Sequence, residues 1–173
     1  MFEAANYSAI ETTRDGRRIE IRALRPADQA GLLAAVDRSS SRSLHRRFFG
    51  VRRHFSEKEI EFFVKVDFIS HVALVAVADE AGQPAIVGGG RYIVVQPGTA
   101  EVAFAVVDEY QGQGLGAALM RHLTTIARQA GLERLVAEVL PDNAPMLGVF
   151  EKCGLRVGKR LEPGVVHVTL DLA

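Results

Sequence analysis

Three glycines at alternate positions, Gly112, Gly114 and Gly116, stand where an apolar run ends and a helical pattern begins. Ala100 to Val107 reads as a strand. Leu115 to Ala130 reads as a helix, with Leu115, Leu119, Leu123, Ile126, Ala127 and Ala130 at helical spacing and Gly131 placed to end it. A strand that passes into a helix through nearly bare backbone confines the chain to folds in which a sheet and helices share one core. The turn is also chemically biased. The N–H groups at a helix start point outward, and the helix dipole adds about half a positive charge there, a combination that attracts phosphate or pyrophosphate.

The rest of the chain can supply such a core. Its 173 residues, 48% hydrophobic and 24% charged, fit one ordinary globular domain. Lysine plus arginine (21) balances aspartate plus glutamate (21), so no global field favours nucleic acid or an anionic membrane. The single cysteine, Cys153, excludes an internal disulfide and suits a reducing compartment. There is no apolar run of about 18 residues, and the N-terminus is polar and acidic where a secretory signal would be apolar. A cytoplasmic location and no membrane or nucleic-acid partner are the resulting expectations.

Residues 1–17 read as a loosely ordered lead-in and 18–173 as the folded domain. Arg18 to Arg22 alternates into a first strand, and Pro26 opens a helix to about Asp37. Ser39 to Arg53 is arginine-rich, interrupted by Leu44, Phe48 and Phe49, and reads as a surface helix or loop. Ser56 and Glu59 form a capping box for a helix to about Val66. Val72 to Ala78 is an unbroken apolar strand with a hairpin partner, Ile86 to Val95. Within that partner, Gly88-Gly89-Gly90 predicts a bulge or close backbone approach. After the glycine turn come a strand from Leu135 to Leu140, a short helix from Asn143 to Lys152, and strands near Leu155 to Gly158 and Val165 to Leu170. The expected fold is α/β of the α+β type, a mixed, mostly antiparallel sheet of six to seven strands flanked by about four helices.

Which phosphate the turn holds is narrowed by spacing. A dinucleotide fingerprint needs G-x-G-x-x-G after the first strand, and a Walker A loop needs Gly-Lys-Ser/Thr. Neither is present. What fits is Gln/Arg-x-x-Gly-x-Gly/Ala, met by Gln111, Gly112, Gln113, Gly114, Leu115 and Gly116. It follows the strand Ala-Glu-Val-Ala-Phe-Ala-Val-Val and precedes Pro141-Asp142-Asn143 and Phe150-Glu151-Lys152-Cys153-Gly154-Leu155. In these segments the chain resembles the GNAT superfamily of N-acetyltransferases, over about residues 18–172. The resemblance implies acetyl-CoA as co-substrate and no metal. It implies that the backbone at Gly112, Gln113, Gly114, Gly116 and Ala117 holds pyrophosphate with help from Gln111. It further implies that Asn143 contacts CoA, and that the pantetheine arm pairs with Ala105, Val106 and Val107 where the fourth and fifth strands splay.

Transfer to an amine needs that amine neutral, which for a free lysine of pKa about 10.4 costs roughly 4.6 kcal/mol at pH 7. A positioned base relieves this. Alternation along the strand puts Glu101, Ala103 and Ala105 on one face and Val102, Phe104 and Val106 on the other, so Glu101 has small neighbours and room for a substrate. The family often carries its base on this strand, and Glu101 is the candidate. Glu138 is a rival, read more simply as a paired carboxylate. Many relatives place a proton-donating tyrosine immediately before Glu-Lys in the short helix; this chain has Phe150, which cannot donate. Tyr92, Tyr110 and the five scattered histidines are read as packing or surface residues, without metal-ligand spacing, and Cys153 as an inert buried thiol.

The acceptor is read from the first half. Arg22-Ala-Leu-Arg-Pro-Ala-Asp28, Ser43-Leu-His-Arg-Arg-Phe-Phe49, and Val66-Asp67 leading to Ala73-Leu-Val-Ala76 resemble the bacterial protein lysine acetyltransferases that modify AMP-forming acyl-CoA synthetases. Ser39 to Arg53 would then dock an acidic face of such a partner through Arg46, Arg47 and Arg53. Two alternatives stay open: a small-molecule amine acetyltransferase, and an acyl-CoA-binding regulatory module without turnover. Composition carries no hint of an oligomer.

Overall fold

The computed structural model describes residues 3–48 and 55–172, the side chains of 44–46 and 48 excepted. Eight strands form one sheet: β1 (Ser8–Thr12), β2 (Arg18–Ala23), β3 (His71–Glu80), β4 (Gln83–Gln96), β5 (Thr99–Val106), β6 (Arg134–Val139), β7 (Arg156–Glu162) and β8 (Val165–Asp171). Five helices accompany them: α1 (Gln29–Asp37), α2 (Ser41–Phe48), α3 (Glu57–Val64), α4 (Leu115–Gln129) and α5 (Ala144–Glu151). The sheet runs in the order β1-β2-β3-β4-β5-β6-β8-β7, and only the β5–β6 pair is parallel. The α+β class is as expected; the sheet is one strand larger and has one helix more than the sequence suggested.

The extra strand comes from the segment read as a loose lead-in. Ser8–Thr12 pairs antiparallel with Arg18–Arg22, and 13–17 form the hairpin loop. Its polar alternation hid it, since an edge strand with one wet face carries little apolar signal. Three contacts clip it to α4: the Tyr7 hydroxyl meets His122 Nδ1, and His122 Nε2 lies 2.7 Å from a Glu11 oxygen. Arg121 donates to that same oxygen at 2.8 Å. Against a burial that would raise it, these bonds hold the Glu11 carboxyl below its usual range.

The core lies mostly between the sheet and α4. Leu115, Leu119, Leu123 and Ile126 are buried against Val102, Phe104, Leu74 and Tyr92. Gly90 explains part of the glycine triple. A Cβ there would lie 2.7 Å from Phe104 Cδ1 and 3.0 Å from Leu123 Cδ1, so only glycine lets β4 pass beneath α4. A register shift between Ala76 and Val77 supplies the expected bulge opposite the same stretch. On the other face α1 covers Ala73, Val75 and Ile86 through Leu32 and Ala35. There α3, begun by the reciprocal Ser56–Glu59 capping box, sets Phe63 beneath Arg91 and Phe62 beside His71.

Two of the first-half segments turn out to be structural clamps. Arg22 grips Asp28 through Nη1 and Nη2 (2.8 and 2.9 Å), and the Arg25 N–H donates to the same carboxylate at 2.7 Å. Asp67 accepts from the Ser70 hydroxyl and from the N–H groups of Ile69, Ser70 and His71. Those bonds pull its pKa down to about 2 and fix a turn in which Phe68 adopts φ +56°.

Candidate active site

β5 and β6 are paired only at Thr99–Arg134, Ala100–Leu135 and Glu101–Val136. Beyond Glu101 the strands part, and a cleft of about 990 Å³ opens along the gap. This is the splay expected between the strands at 100–107 and 135–140. Alternate residues of a strand turn both peptide groups to the same neighbour. The Val107 N–H bonds Val87 O on β4, so Val102, Phe104 and Val106 turn theirs toward the gap. The peptide edge available to a ligand is therefore that of Phe104 and Val106, which sharpens the expectation for Ala105, Val106 and Val107.

At the mouth of the gap the glycine turn delivers the start of α4. Gly112 and Gly114 have φ of +76° and +89°, a conformation that costs an L side chain strain even though no atom lies within 4 Å of a Cβ built on either. Gly114 is the N-cap and gives α4 no side-chain cap, so the amides of its first turn at Leu115, Gly116 and Ala117 remain for an external acceptor. A Cβ on Gly116 would lie 3.5 Å from Val149 Cγ2, ordinary contact, and its φ is not positive, so neither space within the protein nor backbone strain requires the third glycine. Asn143, also on the cleft wall, caps α5 by accepting from the Met146 N–H at 3.3 Å, which leaves its amide donor to offer a ligand. These features suit a pyrophosphate-bearing group.

Gln111 does something different from what its motif position suggests. Its two amide hydrogens are used inside the protein, on Val106 O at 2.9 Å and Ser43 Oγ at 3.0 Å. It ties the end of β5 to α2 and shapes the turn. Asp108 reinforces that tie by accepting from the Ser40 N–H and the Ser43 hydroxyl.

Glu101 occupies the vertex where pairing stops, exposed on the face it shares with Ala103 and Ala105. It does not line the large cleft. It lines an adjoining hollow of about 410 Å³ with Glu138, Thr169 and His167, and Glu138 borders both spaces. Glu138, about half exposed, lies 3.7 Å from His167 Nδ1.

Two arginines on the same face were not legible as cleft residues. Arg47 lines the cleft instead of facing outward as a docking residue; burial lowers its pKa and the nearby Glu101 carboxylate opposes that. Arg91 donates to Phe63 O at 3.1 Å and approaches His71 Nε2 at 3.0 Å. Burial and the like charge of Arg47 bring its pKa down to about 9, still charged at neutral pH. The same burial pushes His71 down to about 4, keeping it neutral as Arg91's acceptor. Of the other proposed docking residues, Arg53 lies outside the described residues, as does the side chain of Arg46.

The aromatic hydroxyls are committed elsewhere. Tyr92 is buried and its hydroxyl is pushed up to about 12, while Tyr110 donates to Glu80 at 2.9 Å. Phe150 is buried against Phe104, 6.1 Å between ring centres. Cys153 is half-buried on the cleft wall rather than sealed in the core. Among the described residues, no group of three or more His, Cys, Asp or Glu is gathered to hold a metal, and no helix is long and apolar enough to cross a membrane.

A mixed sheet that parts beside a strand, with an uncapped helix start at the mouth of the gap, defines an N-acyltransferase architecture. The chain belongs to the acetyltransferase (GNAT) family, whose family model matches residues 33–155. It is 35% identical to acetyltransferase PA5475 of Pseudomonas aeruginosa over 152 residues, 87% of this chain and 81% of that one. It is 33% identical to acetyltransferase Pat of Mycolicibacterium smegmatis over 161 residues, 92% of this chain but only 47% of that longer protein. The crystal structure of the GNAT domain of S. lividans PAT superposes with a TM-score of 0.85 at 32% identity, covering 95% of this chain and 96% of that domain.

Proposed function

We propose that this chain transfers an acetyl group from acetyl-CoA to a lysine of a protein, the active-site lysine of an AMP-forming acyl-CoA synthetase, with Glu101 as general base. The observation that carries the donor side is the uncapped first turn of α4 at the mouth of a gap whose edge is the backbone of Phe104 and Val106, which has no strand partner in β6. The acceptor side is supported by the likeness to the Pat proteins, which extends over nearly the whole chain.

Acetyl-CoA supplies an acyl thioester. The α4 amides hold its pyrophosphate, the Val106 edge orients the arm, and the narrowing of the gap brings the acyl group toward its vertex. Glu101, at that vertex, takes one proton from the incoming ammonium; the neutral nitrogen then bonds to the carbonyl carbon, the carbon–sulfur bond breaks, and the nitrogen's second proton passes through water to the departing sulfur. The departing thiolate takes its proton from water, since Phe150 offers none and the Tyr92 and Tyr110 hydroxyls are buried or bonded to Glu80.

A second reading, a small-molecule amine acceptor, gains some support from Arg47 and Arg91. Two cations on the acceptor side disfavour a polyamine and suit an amine that also carries a carboxylate. Incubation with labelled acetyl-CoA, a panel of purified acyl-CoA synthetases and a panel of amino acids tests both. Label on a synthetase lysine supports the first reading and label confined to amino acids the second. CoA-dependent thermal stabilisation without any transfer would leave only the binding module.

A further inference from the structure

The turn that faces the cleft mouth has a deficit. From Gln111 to Ala118 there is no basic residue, and Gln111 has spent its amide hydrogens internally. Dipole and amides alone would have to balance a doubly charged pyrophosphate. Among the described residues, six cations line the cleft: Arg14, Arg47, Arg91, Arg121, Arg128 and Lys152. Arg47 and Arg91 belong to the acceptor face. Arg121 and Arg128 sit farther along α4, and Arg121 is held by Glu11. Lys152 follows the last turn of α5. Arg14 is bonded to the turn itself, at Gly112 O and Gln113 O.

Its placement is built rather than incidental. The Arg14 N–H donates to Gln113 O at 3.2 Å, and the Asp15 N–H donates to Gln113 Oε1 at 3.0 Å. Arg14 Nη1 reaches Gly112 O at 3.3 Å, which leaves Nε and Nη2 of the guanidinium fork available. On the far side of the same loop, the Arg17 guanidinium lies 3.9 Å over the Tyr110 ring, just before the turn. The loop itself is knit by Thr13, Asp15 and Arg17 and anchored through Tyr7, Glu11 and His122 to α4.

We infer that Arg14, delivered by the β1–β2 hairpin, is a pyrophosphate ligand of the acyl-CoA, so that the N-terminal hairpin is part of the cofactor site. This rests on the acetyl-CoA reading above. The fork can bridge from Gly112 O to a phosphate oxygen, supplying the cation that the turn lacks.

The test is calorimetric binding of CoA and of 3′-dephospho-CoA to the wild-type chain and to Arg14→Gln and Arg14→Lys. In both variants the backbone bonds of Arg14 and Asp15 keep the loop docked, and unchanged hydrogen exchange at Gln113 and Gly114 in the free protein verifies it. Arg14→Gln is expected to weaken both ligands by the same factor, about tenfold or more, with Arg14→Lys recovering part of the loss. Equal affinity of Arg14→Gln and wild type overturns the inference while the acetyl-CoA reading stands. A loss confined to CoA, sparing dephospho-CoA, also overturns it, because it moves Arg14 to the 3′-phosphate. If the wild type binds neither ligand, the acetyl-CoA reading itself falls.

Discussion

Glu101 stands opposite Val136 in the last paired position of β5 and β6, and every later residue of the two strands is apart. The candidate base is therefore fixed by paired backbone on one side while its next neighbours, Ala103 and Ala105, flank open space. That geometry ties the cleft and the carboxylate to a single backbone event.

The glycine turn separates strain from space. A Cβ on Gly114 meets nothing, yet φ is +89°. Gly114→Ala should cost about 1 kcal/mol of stability through backbone conformation alone. The same change should weaken CoA binding, because relief of the strain moves the α4 amides. Thermal melting and calorimetry on the same sample check both; unaltered CoA affinity would mean that the turn does not hold the ligand.

Gly90 is the opposite case, with space lacking and backbone ordinary. Gly90→Ala should cost about 1–3 kcal/mol by overpacking Phe104 and Leu123. Denaturant unfolding should show a lower midpoint with an unchanged slope.

The clip at Tyr7, Glu11 and His122 joins residues 115 positions apart in sequence. His122→Ala removes both of the ring's bonds and should cost about 1–3 kcal/mol. Loss of protection should concentrate in Ser8–Thr12, as read by hydrogen exchange. Uniform loss across the sheet would show that the hairpin is not a separable unit.

His71 gives a pH signature. Its folded pKa of about 4 lies below its ordinary 6.5, so between these values the unfolded chain binds the proton that the folded chain refuses. Stability from this residue is full above about pH 6.5 and is lost as pH falls toward 4. In His71→Gln, which keeps an acceptor for Arg91, stability should fall less steeply across that window. Parallel wild-type and variant curves would contradict the assignment.

What the chain revealed before folding follows from where each signal resides. The glycine turn, the Glu101/Ala103/Ala105 face and the Ser56–Glu59 box are local patterns, read within a few residues. The hairpin's role was hidden because Tyr7, Arg14 and Gln113 acquire meaning only across long separations. Arg47 read as an outward docking residue and Arg91 as one position of a strand; their burial is set by α2 and α3 folding over β5 and β4, which no local period encodes. Gln111 shows a motif position whose side chain serves the turn's own architecture.

The central claim, base-assisted transfer from acetyl-CoA at the vertex of the gap, is tested most directly by Glu101→Gln. The measurement is the single-turnover rate of acetyl transfer from labelled acetyl-CoA to an acceptor synthetase, with CoA affinity taken on the same protein. The account predicts a rate lower by roughly 10²–10³-fold with CoA affinity nearly unchanged. Wild-type turnover in Glu101→Gln across pH 6 to 9 would contradict it.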